Sequence, residues 1–101
     1  MEEAEHEFVF HSDAAHGWLQ VPVYLVNEIG YRPTACSYID RRGFFYYLEE
    51  DEDTTSFLRM AAKAGISSSI TERNHLGRCF IRSFPNVSRL EDRDEYGAGE
   101  E

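Results

Sequence analysis

Two periods of hydrophobic and polar positions alternate along the chain and predict strands and helices in a regular order. Short segments rich in aromatic and β-branched residues are typical of strands, whereas apolar residues three to four positions apart are typical of helices. The predicted strands cover residues 7–11, 18–21, 34–40, 44–50, 67–73 and 78–84. The predicted helices cover 22–29 and 53–64.

Proline, glycine and charged residues mark the ends of these segments. Pro22 suits the first turn of a helix, and Gly30 and Gly65 suit helix ends. Arg41-Arg42-Gly43, between two strand-like segments, is a hairpin signal. The predicted order is β-β-α-β-β-α-β-β, an α+β fold with a mostly antiparallel sheet and helices covering one face.

Length and composition are those of one small soluble domain. The 101 residues are enough for one modest core, and the 42% hydrophobic content excludes a wholly disordered chain. No apolar run approaches the ~20 residues of a membrane span, and the acidic N-terminus is unlike a signal peptide. Two cysteines, Cys36 and Cys79, are too few for a disulfide scaffold. We therefore expect a cytoplasmic protein with no membrane contact.

The net charge of −9 is concentrated in three places. Four acids lie in residues 1–7, six in residues 89–101, and five form one unbroken run at residues 49–53. Like-charged ends bury too little apolar surface to offset the entropy of ordering. We therefore predict a disordered acidic head at residues 1–5, one domain at 6–88 and a disordered acidic tail at 89–101.

The five-acid run is the candidate partner-binding site. Asp51, Glu52 and Asp53 fall at the predicted start of the second helix, where carboxylates complement the helix dipole. Glu49 and Glu50 end a strand, where repulsion from the next three acids is unfavourable unless a cation is present. That excess predicts a basic partner, contacted by the whole run: Glu49, Glu50, Asp51, Glu52 and Asp53.

Other site chemistries have weaker support in the sequence. The acidic run lacks the EF-hand pattern, and the histidines and cysteines lack the spacing of a zinc site, although His11 and His16 could converge around Asp13. Ser12, Asp13 and His16 lie too close together in one turn to form a hydrolase triad. No glycine-rich phosphate loop follows a strand, and the acidic charge disfavours direct nucleic-acid binding. We expect no catalytic residue, no metal and no cofactor.

Several motifs together resemble a family of small proteins from phage, prophage and plasmid sequences. Its members have the patterns HGWL-x-V, SY, YLEED-x-D and IRSY. The matching residues here are His16-Gly17-Trp18-Leu19 with Val21, Ser37-Tyr38, Tyr47 to Asp51 with Asp53, and Ile81-Arg82-Ser83. The resemblance covers about residues 8–85, with Phe84 in place of the usual Tyr and Glu52 where Cys is common. It implies a mobile-element context and no catalytic residue.

Three functional hypotheses follow from these observations. The first is a non-enzymatic, anti-CRISPR-like inhibitor whose acidic surface mimics nucleic acid and occupies a basic nucleic-acid-binding surface of a host defence complex. The second is a small prophage or plasmid adaptor whose acidity serves solubility. The third is a small hydrolase that uses His16 and the carboxylates of residues 49–51.

Overall fold

The computed structural model describes residues 4–77 and 79–87. In these ranges five strands and two α-helices follow the order β-β-α-β-β-α-β, and a short 3₁₀ helix comes after them at Phe80–Ser83. The strands are β1 (Ala4–Ser12), β2 (Gly17–Pro22), β3 (Tyr38–Ile39), β4 (Phe45–Glu49) and β5 (Ile66–Asn74). The helices are α1 (Val23–Ile29) and α2 (Asp53–Lys63).

The five strands form one mixed sheet in the order β3-β4-β2-β1-β5. The pairs β3–β4, β4–β2 and β2–β1 are antiparallel, and β5 runs parallel to β1. The prediction of an α+β fold with a mostly antiparallel sheet is therefore confirmed. The parallel pair was not predicted, because the segments between β1 and β5 do not reveal on which side the chain returns.

One face of the sheet packs against both helices. Leu19 of β2 lies opposite Leu48 of β4, and both side chains are fully buried. The helices contribute apolar residues at helical spacing, and α1 ends at Gly30, whose φ of 91° suits glycine. This core consists of Phe8, Leu19, Val21, Leu25, Val26, Leu48, Phe57 and Ala61.

The other face of the sheet is covered by the chain after β5. Trp18 and Tyr47 alternate with the helix-facing residues and form a second cluster with Cys79 and Ile81. The predicted sixth strand at 78–84 is wrong, because Phe80–Ser83 forms a 3₁₀ helix over this face instead of extending a sheet edge. The apolar residues of this segment alternate with polar ones, as they do in a strand. In the structure they cover Trp18 and Tyr47, which would otherwise be exposed on this face of the sheet.

Two predicted boundaries also change. The strand predicted at 34–40 is reduced to Tyr38–Ile39, since groups at residues 31–37 bond to a buried carboxylate described below. The prediction of disorder at residues 1–5 is wrong for Ala4 and Glu5, because both pair with β5. The rest of that head and the tail at 89–101 lie outside the described residues. No helix in the described ranges is long and apolar enough to cross a membrane.

Candidate functional site: an acidic turn before the second helix

The five predicted partner-binding acids occupy three different environments. Glu50, Asp51 and Glu52 are exposed in the turn between β4 and α2. Glu49 is half-buried at the end of β4, and Asp53 at the start of α2 is fully buried. We call residues Glu50, Asp51 and Glu52 the acidic turn, since only these three project into solvent.

Glu49 caps the turn and the start of α2. One carboxylate oxygen accepts the backbone N–H of Asp51 at 2.9 Å, and the other accepts those of Glu52 at 3.0 Å and Asp53 at 3.4 Å. These donors would otherwise lack a partner within the helix. The expectation that Glu49 is in excess of what the helix needs is therefore wrong: the strand ends where its side chain folds over the turn.

Asp53 is the centre of a buried hydrogen-bond network. Its Oδ1 accepts the Tyr31 hydroxyl at 2.5 Å, and its Oδ2 accepts both the backbone N–H and the hydroxyl of Thr34 at 2.9 Å. The Ser37 hydroxyl also donates to Oδ2. Burial raises the pKa of the Tyr31 hydroxyl, and its bond to Asp53 adds to that effect. Asp53 has no exposed surface, so it is removed from the predicted contact set.

Ser37 joins the two carboxylate systems. Its hydroxyl donates to Asp53 and accepts the backbone N–H of Glu49 at 2.9 Å. The loop before β3, the end of β4 and the start of α2 are thus connected through one buried side chain. The two residues that flank the acidic turn, Glu49 and Asp53, are therefore both held by hydrogen bonds to Ser37.

Asp13, a member of the rejected triad, holds the β1–β2 turn together. Its carboxylate accepts the backbone N–H groups of Ala15 and His16 at 3.0 Å and that of Cys79 at 3.3 Å. Arg82 donates two bonds to it, at 2.8 and 3.1 Å, and these bonds hold the pKa of Asp13 far below its ordinary value. With this many donors, Asp13 is a structural anchor.

Arg82 connects this anchor to the second core cluster. Its guanidinium carbon lies 5.3 Å from the centre of the Trp18 ring, within the range of a cation–π contact. An open pocket of about 470 Å³ beside it is lined by Asp13, Ala14, Ala15, Gly77 and Arg82. Because its two charged groups bind each other, this pocket offers no free charge to a ligand.

The predicted convergence of His11 and His16 does not occur. His11 is buried, and its Nδ1 lies 2.9 Å from Nε2 of His75. Its Nε2 lies 2.8 Å from the Gln20 amide oxygen, whereas the His16 ring packs against Trp18. Sequence reasoning missed His75 and Gln20 as partners of His11, because the pairing of β1 with β5 brings His75 beside it.

The described residues contain no group of three or more His, Cys, Asp or Glu side chains that could hold a metal ion. Cys36 is exposed and Cys79 is buried, and both are free thiols. Burial raises the pKa of the Tyr47 hydroxyl to about 12, so this phenol stays protonated at neutral pH.

The motifs of the family resemblance lie mainly in this structural framework. Trp18 packs under Arg82, and Ser37 connects Glu49 with Asp53. A β-carbon on Gly17 would lie 2.4 Å from the Phe10 ring, which explains the glycine. Gly17, Trp18 and Ser37 of these motifs thus have structural roles, whereas Glu50 and Asp51 are exposed.

Comparison of the chain with protein-family models, with curated proteins and with solved structures finds no match in any of the three.

Proposed function

We propose that this protein is a non-enzymatic inhibitor, of the anti-CRISPR-like kind, made by a phage or another mobile element and acting in the cytoplasm of the bacterial host. Its acidic turn occupies a basic nucleic-acid-binding surface of a host defence complex. The observation that carries the proposal is the presentation of three consecutive exposed carboxylates, Glu50, Asp51 and Glu52, on a turn held by Glu49 and Asp53.

The hydrogen bonds beneath the turn support binding because they fix its backbone in advance. The N–H groups of Asp51 and Glu52 are bound to the Glu49 carboxylate. A fixed turn loses less conformational entropy on binding than a flexible acidic tail does. Its carboxylates can accept charge-assisted hydrogen bonds from arginine and lysine side chains that normally bind phosphates.

The net charge supports the same partner chemistry at longer range. A protein of charge −9 attracts a basic surface and is repelled by nucleic acid. This attraction speeds encounter and weakens with salt, because the Debye length is only about 8 Å at physiological ionic strength. The specific contact is then made at the acidic turn.

The hydrolase hypothesis loses support because its groups are engaged in structural contacts. Glu49 caps α2 and His16 packs on Trp18. Asp13, the carboxylate nearest to His16 in the sequence, is bound to Arg82. The adaptor hypothesis remains the alternative against which the inhibitor is tested.

The decisive experiment is a competition assay with a purified CRISPR surveillance complex or another defence nuclease. DNA is offered with and without the protein, first for the parent chain and then for the double variant Glu50→Lys/Asp51→Lys. We expect the parent to block DNA binding and the variant to lose at least about tenfold in affinity, since a desolvated charge pair broken on one side costs about 2 kcal/mol or more. Glu49 is left unchanged because it caps α2.

A matched control separates the acidic turn from net charge. Glu7→Lys/Glu28→Lys makes the same change of charge at two exposed acids elsewhere, in β1 and α1. We expect this control to slow association slightly and to remain an inhibitor. Equal losses in both double variants would show that the turn is not the contact site. If no nucleic-acid-binding complex from a plausible host is blocked, the inhibitor function is wrong and the adaptor hypothesis is favoured.

A further inference from the structure

The outer edge of β5 is long and exposed. β5 pairs with β1 through nine consecutive residues, from Ile66 to Asn74, and no described strand pairs with its other edge. All of its residues after Ile66 are exposed. Such an edge presents a row of backbone N–H and C=O groups to any strand that can align with it.

The first half of β5 is also weakly supported within the sheet. The pairing of β1 with β2 begins at Val9, so residues 4–8 of β1 pair with β5 alone. A two-stranded ribbon by itself is only marginally stable in water, and a third strand stabilises it. A strand added to the outer edge of β5 would supply that support.

The opposite edge of the sheet, at β3, is short and already paired. β3 has only two residues, and the chain itself covers it through the bridge between Tyr38 and Asn86. The N–H of Ile39 donates to the Pro85 carbonyl and the N–H of Val87 to that of Ser37. One edge is thus short and paired, whereas the β5 edge is long and unpaired among the described residues.

The usual features that prevent edge pairing are missing from β5. The strand ISSSITERN contains no proline and no lysine, and its unbroken register with β1 contains no bulge. Its single acid, Glu72, is balanced by its single base, Arg73. In a protein of net charge −9, this strand therefore carries no net charge.

We propose that β5 is a dimerisation edge, which pairs antiparallel with β5 of a second copy about a two-fold axis at Ile70. In this register Ile70 faces Ile70 of the second copy, Ser68 faces Glu72 and Ser67 faces Arg73. No like charges oppose each other, and the Ile70 side chain, 44% exposed in the single chain, becomes covered. Nine residue pairs supply about eight to ten backbone hydrogen bonds.

The net charge of −9 opposes the pairing of two copies, and it opposes pairing least at an edge that carries no net charge. β5 is such an edge, because its one acid and one base balance. The resulting interface is isologous, as in most dimers, and joins two five-stranded sheets into one. The acidic turn is not part of β5, so this inference does not depend on the proposed function.

Sedimentation and light scattering on the full chain test the dimer directly. Measured from about 1 μM to about 1 mM, the mass should rise from one copy toward two, as expected for a small interface. Raising NaCl from about 0.05 to 0.5 M should strengthen the dimer, because salt screens the repulsion. Hydrogen exchange should show β5 amides becoming protected as concentration rises. A single-copy mass throughout, or a dimer without protection in β5, would overturn the proposal.

Charge variants at Ile70 test the register. Ile70→Lys places two lysines opposite each other and should abolish the dimer, as should Ile70→Glu alone. An equimolar mixture of the two should restore a heterodimer, because Lys then faces Glu. Leu76→Lys, at a 97% exposed residue beyond the strand, is the control and should dimerise like the parent. Dimers that persist in both Ile70 variants would exclude this edge, and the wild-type exchange experiment decides independently of how either variant folds.

Discussion

Asp51 and Asp53 are two positions apart in the same acidic run and have opposite roles. Asp51 is exposed, whereas Asp53 is fully buried and accepts bonds from Tyr31, Thr34 and Ser37. Burial of a carboxylate is tolerated only when several donors replace water. The identical side chain is therefore exposed to solvent at one position and holds the fold together at the other.

Replacing Asp53 tests this difference at the level of one residue. Asp53→Asn should lower the free energy of unfolding by about 3 kcal/mol, because its amide NH₂ faces hydroxyl and N–H donors in place of a second acceptor oxygen. Urea denaturation measures the loss. Asp51→Asn is the matched control and should stay within about 0.5 kcal/mol of the parent. Equal stability of the two variants would show that the Asp53 network does not stabilise the fold.

His11 makes stability depend on pH. Burial lowers its pKa from the ordinary 6.5, and nearby His75 and Arg73 act in the same direction against the bond to Gln20. With the Gln20 oxygen accepting, the neutral ring donates from Nε2 and accepts the Nε2–H of His75 at Nδ1. A proton added to His11 therefore costs more in the folded state than in the unfolded state.

The sign of the pH effect follows from that lowered pKa. The unfolded state binds the proton first, so the contribution of His11 is complete above pH 6.5 and is lost as the pH falls through its folded-state pKa. The free energy of unfolding should decline from pH 7.5 to 5.5. Its slope should correspond to at most one more proton bound by the unfolded state than by the folded state. His11→Gln should flatten this slope. Asp13, whose ordinary pKa is 3.8, loses its contribution only at lower pH, so a parent whose stability is flat in this window contradicts the assignment.

At the level of elements, the segment after β5 has the role that a third layer has in larger domains. Ile81 in the 3₁₀ helix is fully buried, and Val87 beyond it is nearly so. Ile81 packs with Trp18 and Tyr47 on the face of the sheet that the α-helices do not reach, and the N–H of Val87 donates to the Ser37 carbonyl beside β3. The two-layer arrangement predicted from the sequence becomes a sheet covered on both faces.

Truncating Ile81 measures how much this layer contributes. Ile81→Ala should lower the free energy of unfolding by about 2–4 kcal/mol, through lost burial and the cavity left beside the Trp18–Tyr47 cluster. Leu76→Ala removes a similar side chain at a residue that is 97% exposed, and should change stability by less than about 0.5 kcal/mol. Chemical denaturation of both variants provides the comparison, and a tolerated Ile81→Ala would mean that the segment packs only loosely.

For the whole molecule, the charge of −9 has opposite effects on the two proposed assemblies. Attraction to a basic partner weakens as salt rises, whereas pairing of two like-charged copies strengthens. A salt titration therefore distinguishes the two interfaces in one preparation. The acidic turn and the β5 edge occupy different elements, so each can be altered alone.

Local signals in the sequence were sufficient for most elements and for the position of the acidic run. The hairpin at Arg41-Arg42-Gly43 and the helix end at Gly30 were predicted because glycine adopts the positive φ that such turns and helix ends need, and both are present. The exposed Glu50, Asp51 and Glu52 were found from charge alone. Residues 78–84 were mistaken for a strand, since period two records burial on one side and not hydrogen bonding to a neighbour.

The sequence by itself determined the order of the first seven elements, the α+β class and the position of the acidic run, because these depend on short-range periodicity, turn residues and charge. Only the tertiary structure decided which acids are exposed, since Asp53 and Glu49 acquire their donors from residues 31–37 and from the turn between β4 and α2. It also decided that His75 lies beside His11 and that β5 forms an edge parallel to β1. These relations join residues up to 64 positions apart. Their geometry follows from how the chain returns across the sheet, which no local pattern specifies.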